Sequence, residues 1–174
     1  MRNNGSNVEN ENSKAVTYHL EPGYVYCSGK GAVIRTVVGS CIAVCLWDVK
    51  KCAGGMNHFM HPKRGENDKR TTYFGDVALP VLVNMMRREF GSRKIDLHAQ
   101  IYGGGSPMNF SEATVGKDNI AVAKEFINRI GIRLVSEDVG GSLGRKLLFD
   151  TATGQVAILK VQQLRQDDWI KKLT

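Results

Sequence analysis

Cys41 and His58 are the two side chains whose types and separation could do covalent chemistry. Cys41 closes the run Val37-Val38-Gly39-Ser40-Cys41, and His58 follows 17 positions later inside Gly54-Gly55-Met56-Asn57-His58-Phe59-Met60. A thiol at a Gly-Ser turn and an imidazole one strand later can meet in space, and a Cys–His pair in contact is a nucleophile with its base. Gly39 permits a tight backbone turn, and the amides around it, those of Ser40 and Cys41, could bind an anion. Such a turn would lower the thiol pKa and supply an oxyanion hole. The competing reading of any cysteine is a small buried hydrophobe. On position alone the two readings stand level for Cys41. Cys45 and Cys52 are expected to be buried hydrophobes, and Cys27 carries no signal of its own.

The other chemistry-bearing residues favour plainer roles. His61 lies just past the His58 segment, before Pro62, while His19 and His98 have no recognisable partner in sequence. Cys41-x3-Cys45-x6-Cys52-x5-His58-x2-His61 holds soft ligands but lacks the paired Cys-x2-Cys knuckles of structural zinc, so no metal is expected. No cofactor motif is complete either. Gly103-Gly104-Gly105-Ser106 follows a strand but has no Gly-Lys-Ser/Thr and no Gly-x-Gly-x-x-Gly, so close backbone approach is the better explanation than a phosphate cradle. Glu137 and Asp138 are adjacent on a strand and point to opposite faces, which keeps them from acting as a pair.

The elements that must position these residues can be read from periodicity. Strands are expected over residues 32–38, 42–47, 53–60, 99–102, 133–139, 145–149 and 155–161. Within residues 42–47, Ile42, Val44 and Leu46 share one face and Ala43, Cys45 and Trp47 the other. The last two strands flank Asp150-Thr151-Ala152-Thr153-Gly154, a hairpin loop by composition. Helical stripes cover residues 76–90 and 117–130, ending at Gly91 and Gly131. Pro80 requires the first helix to start close to it, in the first turn. Seven or so strands with two helices give an α+β domain rather than a βαβ alternation.

The chain of 174 residues fits one domain able to bury a core without disulfides. Residues 1–13 are polar and aperiodic and read as a disordered tail, 14–161 as a single domain, and 162–174 as a short helix or tail. No apolar run reaches the length of a membrane span and no signal peptide is present, so a cytoplasmic protein with reduced thiols is expected, with no membrane insertion. The net charge of +7 favours acidic partners. The cationic residues are scattered and no basic patch is interleaved with aromatics, which argues against nucleic acid.

Taken in order, the motifs resemble a known family. They are Gly39-Ser40-Cys41 with Ile42 to Asp48, Gly54-Gly55-Met56-Asn57-His58-Phe59-Met60, Tyr73-Phe74-Gly75-Asp76, Gly103-Gly104-Gly105-Ser106-Pro107-Met108, Gly116-Lys117-Asp118-Asn119-Ile120 and Glu137-Asp138-Val139-Gly140-Gly141. The series is similar to the CheD chemoreceptor glutamine deamidases of bacterial chemotaxis, from about residue 20 to about residue 161. The resemblance implies that Cys41 is the nucleophile and His58 the catalytic histidine. It implies hydrolysis of glutamine side chains on methyl-accepting chemoreceptors to glutamate and ammonia, with receptor methyl-ester hydrolysis linked to some members. It implies a layered sandwich of packed β-sheets with helices outside, similar to the catalytic domain of cytotoxic necrotizing factor toxins, and the CheC phosphatase as a partner of some members. In the family a threonine shortly before the cysteine orients the histidine. Here Arg35 stands six positions before Cys41 and Thr36 five, so either the register differs by one and Thr36 serves, or another group does. His61 replaces a common leucine and falls outside the core chemistry. A non-catalytic adaptor of the same fold, docking on chemoreceptors or CheC, is the alternative function.

Overall fold

A computed structural model describes residues 16–106 and 113–164. Its element order is β1 (Val16–His19), β2 (Val25–Ser28), β3 (Ala32–Val38), β4 (Ile42–Asp48), β5 (Ala53–Phe59), α1 (Gly75–Phe90), β6 (Leu97–Gly103), α2 (Ala113–Ile130), β7 (Arg133–Val139), β8 (Gly144–Asp150) and β9 (Val156–Val161). A single 3₁₀ turn, Lys94–Asp96, leads into β6. The strands form two mixed sheets, one of order β1-β3-β8-β9 and one of order β2-β5-β4-β6-β7. The pairs β1/β3 and β6/β7 are parallel and the rest antiparallel.

The alternation of β4 explains how the layers stack. Ile42, Val44 and Leu46 join a buried cluster with Leu79, Leu82 and Met86 of α1 and Ala123, Phe126 and Ile127 of α2. Ala43 and Cys45, on the opposite face, join Ile34 and Val38 of β3 and Leu147 and Phe149 of β8. A strand with two apolar faces must be covered on both. The five-stranded sheet is therefore the middle layer, with the helices on one side and the four-stranded sheet on the other. This is the expected α+β sandwich with helices outside.

The strands over 32–38 and 133–139 fall where periodicity puts them, and the other five expected strands shift by one or two residues at their ends. β1 and β2 were not anticipated. Each has four residues, none of them fully buried, so neither carries an apolar run or a clean alternation. The Pro80 expectation needs correction. α1 begins at Gly75, so Pro80 lies inside the helix rather than in its first turn. The first turn is closed upstream of the proline, where Phe74 O accepts the amides of Val77 and Ala78 at 3.1 and 2.8 Å. Burial of Val77, Ala78, Leu79, Leu82 and Met86 offsets the loss of about 3 kcal/mol that an interior proline brings. α2 likewise starts earlier than expected, at Ala113. Of the outlying segments, 1–13 and 165–174 lie outside the described residues, and Gln162–Leu164 follow β9 without regular structure.

Candidate active site

Alternation along β3 decides which of Arg35 and Thr36 faces inward. Ile34, Thr36 and Val38 are 0%, 2% and 0% exposed, whereas Arg35 is exposed. Thr36 points into the space between the sheets, and its Oγ1 lies 2.8 Å from His58 Nδ1. The same hydroxyl donates to Leu20 O at 2.7 Å. A hydroxyl has one proton. With that proton given to Leu20, Thr36 can only accept from His58, so Nδ1 carries the hydrogen and Nε2 is the basic nitrogen. This assignment of the tautomer follows from counting protons, as hydrogen-bond networks require.

The ladder between β4 and β5 places the imidazole relative to the thiol. Ala43 pairs with His58, which puts both side chains on the face turned toward the four-stranded sheet. Cys41 stands two residues before Ala43 and packs with Ala43 and Cys45 in the same cluster. Cys41 and His58 are thus diagonal neighbours on one face, a relation that spans about 7–8 Å between Cα atoms and lies within side-chain reach. His58 is held at its backbone as well, its N–H donating to Tyr24 O at 3.1 Å and its carbonyl accepting from Gly23 N at 2.7 Å. Its ring is fully buried. Burial pushes the His58 pKa down to about 3, against a raising effect of the Leu20 carbonyl, with His19 adding a further lowering. At neutral pH the ring is an uncharged base.

The segment before the thiol is pinned carbonyl by carbonyl. Gly105 N donates to Gly39 O at 2.8 Å and Gly104 N to Cys41 O at 2.8 Å. Between them, Asn119 Nδ2 on α2 donates to Ser40 O at 3.0 Å and also to Met60 O, just past β5, at 2.9 Å. The glycine run is therefore a place of close backbone approach, as its composition suggested. Gly103 has φ of 114°, and a Cβ there would overlap the Cys41 carbonyl. Two of its amides are already engaged by Gly39 and Cys41, which leaves them no part in holding a phosphate.

The remaining expectations divide cleanly. Cys45 is buried and its thiol is pushed up by desolvation. Cys27 is half-buried, its pKa raised to about 12 by burial and then by Glu89. Cys52 is a correction: it is exposed, at φ of 49° in the turn after β4, where Asp48 Oδ1 accepts the amides of Lys50 and Lys51 and pulls the chain away from the core. His61 is exposed, with its ring 5.6 Å from Phe74, and His98 lies beside Trp47 at the opposite end of β4 from Cys41. Glu137 pairs with Lys124 at 2.8 Å and Asp138 with Arg145 at 2.8 Å, on opposite faces of β7. Among the described residues, no three His, Cys, Asp or Glu side chains cluster as metal ligands would. No helix among them is long and apolar enough to cross a membrane.

Sequence reasoning missed two parts of this arrangement. The Leu20 carbonyl could not be found from side-chain types. Asn119 could have been: it falls on the apolar stripe with Ile120, Ala123 and Ile127, and a polar residue there is a buried group in need of partners.

Comparison with known proteins places these residues in context. The model of the family described as CheD chemotactic sensory transduction matches residues 60–160. A probable chemoreceptor glutamine deamidase CheD of Trichlorobacter lovleyi is 36% identical over 160 residues, covering 91% of this chain and 99% of the relative. A protein of the same name from Clostridium botulinum is 41% identical over 135 residues, 74% of this chain and 83% of the relative. An alignment covering 91% of the chain takes in Thr36, Cys41 and His58 wherever it begins.

Proposed function

The chain belongs to the CheD family, and from that membership together with the buried Thr36–His58 contact we propose a thiol-dependent glutamine deamidase acting on chemoreceptors. His58 Nε2 takes the proton of Cys41, and the thiolate attacks the carboxamide carbon of a receptor glutamine. The oxyanion forms against the backbone amides of Ser40 and Cys41, each such donor lowering the barrier by roughly 3 kcal/mol in a site closed to water. The protonated imidazole then gives its proton to the departing amine, and ammonia leaves a thioester on Cys41. His58 next removes a proton from water, which attacks the thioester and releases glutamate with the thiol restored. Thr36 keeps the ring in the tautomer that leaves Nε2 basic. The hydroxyl shared between Leu20 O and His58 Nδ1 is the observation that carries this reading.

The finer parts of the proposal concern partners and place. The substrate glutamines lie on receptor helices, and the net charge of +7 steers the enzyme toward acidic stretches of that surface. A CheC phosphatase is proposed as a second partner and the cytoplasm as the working compartment. Incubation with a receptor fragment, followed by mass spectrometry of each glutamine, should show conversion to glutamate that vanishes in Cys41→Ala and in His58→Ala. Full conversion by Cys41→Ala would overturn the mechanism. Conversion by neither variant nor wild type, with receptor binding intact, would favour an adaptor instead. In the folded enzyme iodoacetamide should label Cys41 faster than exposed Cys52, while Cys27 and Cys45 stay unlabelled because burial holds their thiols protonated.

A further inference from the structure

Asn119 is fully buried on a helix face that is otherwise apolar, and it does not touch the reacting atoms. Its Oδ1 is buried and makes no hydrogen bond among the described residues. A buried unsatisfied acceptor costs about 1–3 kcal/mol, comparable to what the two hydrogen bonds of its Nδ2 contribute, so the carboxamide brings little net stability. Its Nδ2, by contrast, reaches two carbonyls far apart in sequence, Ser40 O at 3.0 Å and Met60 O at 2.9 Å. One belongs to the peptide that joins Ser40 to Cys41. The other lies one residue past the strand that carries His58.

We propose that Asn119 is a positioning residue that sets the orientation of the Ser40–Cys41 peptide, and thereby aims the Cys41 N–H at the oxyanion of the deamidation reaction. The proposal rests on the deamidase reading above. A peptide unit is planar and trans, so its C=O and N–H point in opposite directions. Asn119 draws the Ser40 carbonyl toward α2, on the helix side of the middle sheet. The Cys41 N–H must then point to the other side, where the Cys41 and His58 side chains lie. The neighbouring carbonyls cannot compensate, because Gly39 O and Cys41 O are fixed separately by Gly105 N and Gly104 N. Gly116, one turn before Asn119, seats the helix close enough for this contact. A Cβ at Gly116 would meet Gly104 O at 2.7 Å. The Gly116-Lys117-Asp118-Asn119 motif thus has one chemical purpose: it brings a side-chain amide to the back of the nucleophile's peptide bond.

Two reactions of the same thiol separate this role from a structural one. Deamidation passes through an oxyanion, whereas alkylation by iodoacetamide is a displacement that forms none. Asn119→Leu keeps the branched shape and has no donor, whereas a carboxyl buried against two carbonyls would stay protonated and donate. The leucine variant should lower kcat for a receptor fragment by about 10²-fold with KM within threefold, while Cys41 alkylation stays within threefold of wild type across pH 6–8. Asn119→Ser, which retains a donor on a shorter arm, should recover part of the kcat, and Asn119→Ala, which has none, stands in if the leucine variant does not fold. The proposal is overturned if a folded variant lacking the donor deamidates within threefold of wild type. It is equally overturned if deamidation and alkylation fall by the same factor, since Asn119 would then act on the fold or on the thiol. Wild type and Cys41→Ala run alongside, and an inactive wild type would count against the deamidase reading and leave the alkylation comparison as an independent arm.

Discussion

Thr36→Val is the sharpest perturbation of this site. Valine matches threonine in shape, so the change removes a hydroxyl and little else. That hydroxyl donates to Leu20 O at 2.7 Å and accepts from His58 Nδ1 at 2.8 Å, in a place where Thr36 is 2% exposed and His58 0%. Without it, the productive tautomer loses its hydroxyl acceptor and is left with the Leu20 carbonyl, the loss of a hydrogen bond of about 0.5–1.5 kcal/mol. At tenfold per 1.36 kcal/mol, the productive fraction, and kcat with it, should fall by roughly 2- to 13-fold. KM should change little, since Thr36 faces the ring and not the substrate. Thr36→Ser keeps the hydroxyl and should remain within about threefold of wild type. The assay is initial-rate glutamine-to-glutamate conversion on a receptor fragment, with nitrogen NMR of His58 reporting the tautomer directly. The reasoning fails if folded Thr36→Val keeps kcat within twofold, if Thr36→Ser is as impaired as Thr36→Val, or if wild-type His58 carries its proton on Nε2.

Three further outcomes follow from the same contacts. His58 titrates near 6.5 when unfolded and at about 3 when folded, so between those values the unfolded state binds the extra proton. Stability is fully present above pH 6.5 and is lost as pH falls toward 3. The Tm difference between wild type and His58→Gln should trace that window, and a flat difference from pH 4 to 7 would refute it. Gly103→Ala should destabilise the fold by more than about 2 kcal/mol in urea, because φ of 114° disfavours any side chain and the new Cβ overlaps the Cys41 carbonyl. Arg145 is 3% exposed and its guanidinium serves Asp138 at 2.8 Å, Gly140 O at 2.7 Å and Leu143 O at 2.8 Å. Arg145→Met strands the two carbonyls and leaves Asp138 with Lys160 alone, at 3.0 Å, and should lower unfolding free energy by about 3 kcal/mol in a denaturant titration; a loss below 1 kcal/mol would show that the loop re-forms its bonds with water.

Local pattern alone determined much of this protein. A two-residue alternation with apolar side chains on both faces marked β4 as a strand covered on each side, and helical stripes with Gly91 and Gly131 at their ends marked α1 and α2. The Gly-Ser-Cys turn and the histidine one strand later were legible because a hairpin brings them together with little chain between. Short strands without an apolar run, β1 and β2, were not legible, and neither was the start of α1, since burial of its first turns outweighs the proline signal. Tertiary structure alone decided the rest. Whether Arg35 or Thr36 faces His58 depends on the inward phase of β3, which is set by pairing with β8 more than a hundred residues later and shifts every side chain if slipped by one. The acceptor that fixes the Thr36 proton is a main-chain carbonyl, which every residue possesses and no sequence distinguishes. Asn119 meets Ser40 and Met60 across 79 and 59 residues. Types of side chain nominate a nucleophile and a base, but directions of hydrogen bonds exist only once distant strands and helices have packed.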